Sequence, residues 1–463
     1  MGTKSMPDDV ETGPLLDRAR LPQRERIDLP FIQGLRFVAM AWIIAYHFAA
    51  APQGSLERNI LHHRPLDLFT VISGFTTQLT YGRRPDLGGQ ADYVARRLAR
   101  VGAVYYVSLS CAFILRLFRV GMATAPLDLG REFVSFALGL LGLNVWVCPF
   151  VNVLTVPAFP KSEAEIPSGS DLEFLADQCY PHNGPLWYVQ AIVFCWATYP
   201  AYHKRLKEAR VTSTTASSVC AVLCLWCIAN LPALITTLTK ENDRLWDFTH
   251  VLPAFMLAPF YLGVACCELY ERVRADGPTG SDDEAGDWHE RAHRPWATLA
   301  AEGIFMGFCC VALAPYANTF FHVWSLGFGV MLVLFTVCAA ERGRQYSIGI
   351  CWLLESRVAV ALGDVSLVAF AFQFPVGKLL FGVLRPTESQ PWHPCTSDWM
   401  MLKEFVPFLV GLYGLSVLFG KYVDRPLSTR LRERLEKALA PASRDSDSTA
   451  AKVVHASVSP TTS

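Results

Sequence analysis

Two residues with reactive side chains, Arg36 and His47, stand inside one apolar stretch, FIQGLRFVAMAWIIAYHF at 31–48. At about 100° per residue, eleven steps bring a helix round to within roughly 20° of its starting direction, about 16 Å further along its axis. Both side chains therefore project from one face. A guanidinium and an imidazole held in lipid are costly, so they usually face the protein interior and mark a pathway or a reactive site. The imidazole can also exchange a proton near neutral pH. The bland alternative has Arg36 reaching back to the headgroups at one end and His47 reaching those at the other. Asp67 opens the next apolar stretch within LDLFTVISGF (66–75), and ARRLARVGAVYY (95–106) carries Arg96, Arg97 and Arg100. Arg96 and Arg100, four residues apart, share a helix face. Asp67 has two readings: it orients His47 or an arginine, or it caps the second span.

The elements that must position these residues follow from composition. Of 463 residues, 52% are hydrophobic and only 18% charged, with a mean hydropathy of +0.27, so the bilayer is the expected solvent. Lys+Arg and Asp+Glu balance at 41 each, which gives no argument for a nucleic-acid partner. Largely uncharged stretches fall near 34–52, 65–82, 99–120, 131–149, 187–203, 213–238, 247–268, 299–317, 320–340, 358–382 and 401–421. Basic flanks at 204–211, 269–298, 341–357 and after Lys421 place those connections and the C-terminus in the cytosol, and the basic N-terminus reads the same way. Two ends on one side require an even number of crossings. The segment 131–149, followed by Pro149, Pro157 and Pro160, is the best candidate for a non-spanning piece, leaving ten crossings, or eleven if it spans. Arg116 and Arg119 sit on the wrong side for this rule.

The expected architecture is therefore all-α: a polytopic membrane helical bundle at 30–430, with a disordered cytosolic N-terminus (1–29), a flexible cytosolic loop (275–290) and a disordered cytosolic tail (431–463). No cleavable signal peptide precedes the first span. Most cysteines lie within apolar stretches and no CxxC pair stands in a polar loop, so no metal site is expected. Cys148, Cys179 and Cys395 fall on the expected non-cytosolic side, where a disulfide could persist.

Five motifs in register resemble the acyltransferase-3 family of integral membrane O-acyltransferases, in its fungal form, over roughly residues 28–430. They are Arg36 with His47, DLFTVISGF from Asp67 to Phe75, the Arg96, Arg97, Arg100 and Tyr105 element, Trp187 with Tyr199 and Pro200, and Gly363, Ser366 and Pro375 followed by YVDRP (422–426). The sequence departs from the family pattern at Ala103 (proline in the family), Ile192 (often glutamate), Gln373 (histidine) and Asp424 (glutamate). The resemblance implies transfer of an acyl group, commonly acetyl, from acyl-CoA as co-substrate to a hydroxyl of a small natural product or a glycan, with no bound cofactor. On that expectation His47 activates the acceptor hydroxyl or carries the acyl group transiently, and Arg36 holds the donor, with Asp67 in support. Arg96, Arg97 and Arg100 attract the CoA phosphates, while Trp187 and His182 shape the acceptor side. A small-molecule transporter or an inactive membrane scaffold are the competing classes.

Overall fold

A computed structural model describes residues 29–48, 64–82, 90–118, 129–147, 183–209, 214–239, 252–275, 300, 302–303, 323–342, 349–384 and 402–439. All regular structure among them is helical: α1 (Pro30–Phe48), α2 (Arg64–Tyr81), α3 (Gln90–Leu117), α4 (Leu129–Leu141), α5 (Leu186–Ala209), α6 (Thr215–Thr239), α7 (Pro253–Ala275), α8 (Val323–Arg342), α9 (Gly349–Leu354), α10 (Arg357–Asp364), α11 (Ser366–Leu384), α12 (Leu402–Phe419) and α13 (Arg425–Leu439). Ten of the eleven apolar stretches coincide with these helices; the other, 299–317, lies almost wholly outside the described residues. Four described helices are long and apolar enough to cross a membrane, five if the bent pair α10–α11 counts as one span. Shorter apolar segments are Pro30–Ala45 within α1, Glu132–Leu141 within α4 and Trp324–Val337 within α8.

With lipid as solvent, apolarity alone drives no helix pairing, and close backbone packing takes over. The α2–α7 contact is built this way: a Cβ on Gly74 would overlap the Phe260 carbonyl, and one on Gly263 would overlap that of Val71. Gly74 is thus the reason for the glycine in LDLFTVISGF. A second pair clamps the start of α1, with Gly34 against Leu354 of α9 and Gly363 of α10 against the Gln33 carbonyl. The chain then bends by 64° between α10 and α11. Two apolar cores result. One gathers Met40, Ile44 and Phe48 of α1 with faces of α3, α5, α11 and α12; the other gathers Phe31, Leu35 and Ala39 with faces of α2, α7 and α8.

Helix α4 is short, ends at Gly142 with φ +68°, and is followed by a helical turn at 144–147. Gln190 of α5 donates to the Tyr105 hydroxyl (2.7 Å), and Tyr105 donates to the Gly139 carbonyl (2.5 Å), tying this turn to α3 and α5. Arg116, anomalous for the charge rule, donates to Glu132 of α4 at 2.8 Å, near Lys378 of α11. A local carboxylate thus pairs the charge that the flank rule left unexplained. The expected domain boundary at 430 falls inside α13. That helix continues to Leu439 because Ser428, Leu431 and Leu435, spaced three and four apart, are its half-buried residues, with Leu431 on Gly102 of α3. The N-terminal residues 1–28, the loop expected at 275–290 beyond Ala275, and the tail from 440 lie outside the described residues, as do Arg119, Cys148, Cys179 and Cys395.

Candidate active site

Arg36 and His47 do lie on one helix, α1, but the two ends of that helix are built differently. At the far end, His47 Nδ1 is 2.9 Å from Oε1 of Gln373 on α11. Gln373 is fully buried, and its amide nitrogen donates to the Phe370 carbonyl at 3.0 Å. With the amide nitrogen committed to a carbonyl, the oxygen must face the imidazole and can only accept. Nδ1 therefore carries the proton and Nε2 is the basic nitrogen, an assignment that rests on this network. The ring packs edge-on against Phe374 (centroids 5.1 Å), which itself meets Phe48, and Phe48 meets Phe408. His47 is thus half-buried, set beside phenylalanines and turned by a neutral amide.

The loop entering α5 reaches the same place. Asn183 donates to the Ala371 carbonyl (2.6 Å), and Gly184 abuts Phe374. Trp187 is buried in the core that contains Phe48 and Phe374. His182 lies outside the described residues. Ile192 is buried in the same core, so the helix position that often holds glutamate in the family is apolar here.

At the near end, Arg36 donates to Gln33 one turn back (3.1 Å) and lies within electrostatic reach of Arg97, Arg100, Asp364 and Tyr188. The clamp at Gly363 brings Asp364 there. The three arginines of α3 have separate environments. Arg96 pairs with Asp92 on its own helix. Arg97 donates to Thr77 (3.0 Å) and sits over the rings of Tyr81 (4.8 Å), Trp196 (5.4 Å) and Tyr93 (5.6 Å). Cation–π contact of this kind holds a guanidinium in place without neutralising it. Arg100 is exposed, with Asp424 and Asp364 nearby. Asp424 also accepts from Ser428 at 3.2 Å. Arg36, Arg97 and Arg100 against Asp364 and Asp424 leave an excess of positive charge among the described residues.

A set of polar side chains on α2 and α5 meets within electrostatic reach of Arg36. Asp67 is fully buried in the first turn of α2, and Thr70, one turn on, shares a hydrogen bond with the Tyr188 hydroxyl (3.2 Å). Tyr188 is in electrostatic reach of both Asp67 and Arg36. Of the residues that chemistry singled out in the sequence, the structure gathers Arg36, Arg97 and Arg100 at one end and sets His47 at the other. Gln373 and Tyr188 are the site residues that sequence reasoning did not assign. Gln373 was visible only as a departure from a family histidine, and Tyr188 only as the neighbour of Trp187. Among the described residues no His, Cys, Asp or Glu group could hold a metal ion.

Searches of curated proteins and of solved structures give no match. A family model described as an acyltransferase domain, Acyl_transf_3, matches residues 29–421, which is most of the chain and contains both ends of the site. This membrane protein belongs to the acyltransferase-3 family.

Proposed function

We propose that the protein is a membrane O-acyltransferase that moves an acyl group, acetyl in the first instance, from acyl-CoA to a hydroxyl of a small natural product or a glycan. The observation that carries this reading is the His47–Gln373–Phe370 chain, which presents a basic imidazole nitrogen at the end of α1 opposite the arginines. The arginine end suits the phosphates of CoA, because guanidinium groups pair with phosphate oxygens in fixed geometry. The basic flanks in the sequence assign that end to the cytosol, where acyl-CoA is found. About 16 Å of helix separates Arg36 from His47. An extended thioester arm must cross such a distance to bring its carbonyl to the base.

In the reaction His47 Nε2 takes the proton of the acceptor hydroxyl as the oxygen attacks the thioester carbonyl. The tetrahedral intermediate collapses with cleavage of the carbon–sulfur bond, and the proton passes from His47 to the departing thiolate, giving an ester and CoA thiol. Gln373 keeps the proton on Nδ1, the tautomer this cycle needs. Arg36, three turns away, holds the donor and does not touch the reacting carbonyl. A covalent route, in which Nε2 itself attacks the thioester and then passes the acyl group on, uses the same nitrogen and the same tautomer.

One observation favours a second reading, a small-molecule transporter. The 64° break between α10 and α11 lies beside Asp364 and near Arg36, and broken helices form transporter sites. Release of thiol from acetyl-CoA separates the two. Purified wild type in lipid releases thiol and His47→Ala, equally well folded, does not; binding without thiol release in both would replace the enzyme reading with the transporter.

A further inference from the structure

Helix α13 lies outside the site just described and its charge is not used there. Residues 425–439 (RPLSTRLRERLEKAL) carry Arg425, Arg430, Arg432, Arg434 and Lys437 against Glu433 and Glu436. The helix continues from α12 through a π-helical turn, Gly420–Asp424. Its half-buried stripe, Ser428, Leu431 and Leu435, faces inward, with Leu431 seated on Gly102 of α3. Another stripe is exposed: Leu427, Arg430, Arg434 and Lys437. Their spacings of three, four and three place them within about 80° of one another around the helix.

The depth of this stripe is fixed by α3. Between Arg100 and Arg116 that helix carries no charge, so Gly102 stands where α3 enters the apolar layer. Leu431 on Gly102, with Asp424 in electrostatic reach of Arg100, sets the middle of α13 near that level, at the membrane edge. Two further residues suit that level. Tyr422 is 64% exposed beneath the Lys421 ammonium (5.1 Å to the ring centroid), and Leu427 is 41% exposed. An amphipathic aromatic ring and a bare leucine close to a row of cations match the headgroup boundary of a bilayer, with the ring and leucine toward the acyl chains and the cations toward phosphate.

We propose that the exposed face of α13 is a docking surface for anionic phospholipid headgroups, which fasten the last helix, and through Leu431 the arginine-bearing part of α3, to the membrane edge. Charge complementarity selects the lipid class. Arg430, Arg434 and Lys437 together favour an acidic lipid over a zwitterionic one.

The test uses the full chain reconstituted in phosphatidylcholine vesicles doped with phosphatidylserine, then extracted in mild detergent, with the lipids that remain on the protein counted by mass spectrometry. Wild type retains phosphatidylserine over phosphatidylcholine by about tenfold relative to the vesicle composition, and added salt abolishes the preference. The variant R430Q/R434Q/K437Q loses most of the enrichment. R430K/R434K keeps it, because the interaction needs charge rather than guanidinium geometry, and so reports that a loss is not misfolding. K204Q/R205Q, on exposed cations at the end of α5, also keeps it. The proposal is overturned if wild type shows no enrichment, if the triple variant equals wild type, or if K204Q/R205Q loses as much. It is likewise overturned if the triple variant keeps its lipids and instead binds acetyl-CoA more weakly, which would give this face to the donor.

Discussion

The two ends of α1 solve opposite physical problems. At the His47 end a neutral amide accepts from one ring nitrogen beside a set of phenylalanines. At the Arg36 end several cations share two carboxylates and an aromatic cage, and Arg100 stays exposed. A reaction needs a group of fixed tautomer away from water, because a misdirected proton leaves no catalysis. Binding a flexible polyanion needs surplus charge and tolerates several geometries. Under the proposed function, turnover belongs to one end and donor affinity to the other, which mutations can separate.

The largest effect is expected from His47→Ala, which removes the base: turnover of acetyl-CoA falls by about 10²–10⁴-fold while donor binding stays as in wild type. Next comes Gln373→Leu. It strips a buried Nδ1–H of its acceptor at a cost of about 1–3 kcal/mol, so kcat drops by roughly 10-fold to 100-fold with little change in KM for the donor. Gln373→His, which restores the residue type of the family, keeps most of the rate. If Gln373→Leu instead raised KM alone, the two ends would not be separate. Arg100→Gln should do the reverse, raising KM for acetyl-CoA about tenfold at nearly constant kcat, in steady-state assays at low salt. The smallest change belongs to Arg96→Gln: it loses an i, i+4 pair within α3 worth about 0.3–0.5 kcal/mol, seen as a slight fall in thermal stability and less than a threefold change in KM.

Much of this arrangement could be read in the sequence. The shared face of Arg36 and His47 follows from helical periodicity, and lipid-length apolar stretches predict helices because nothing else satisfies the backbone in a bilayer. What escaped the sequence was set by contacts between distant segments. Gln373 lies 326 residues from His47, and no local pattern tells that an amide in α11 will face that ring. Arg96, Arg97 and Arg100 read as equivalent, yet Arg97 sits over Tyr81 and Trp196 from two other helices. Arg116 contradicted the charge rule until Glu132 stood next to it. The boundary expected at 430 falls inside α13, where Leu431 and Leu435 stand at helical spacing.

The central claim, that chemistry and donor binding occupy opposite ends of one helix, is tested most directly by calorimetric titration of acetyl-CoA into His47→Ala in lipid, alongside its thiol-release rate. The account predicts an affinity within about threefold of wild type and no detectable thiol release. An affinity lost together with the rate would place the donor's binding energy at His47 and contradict it.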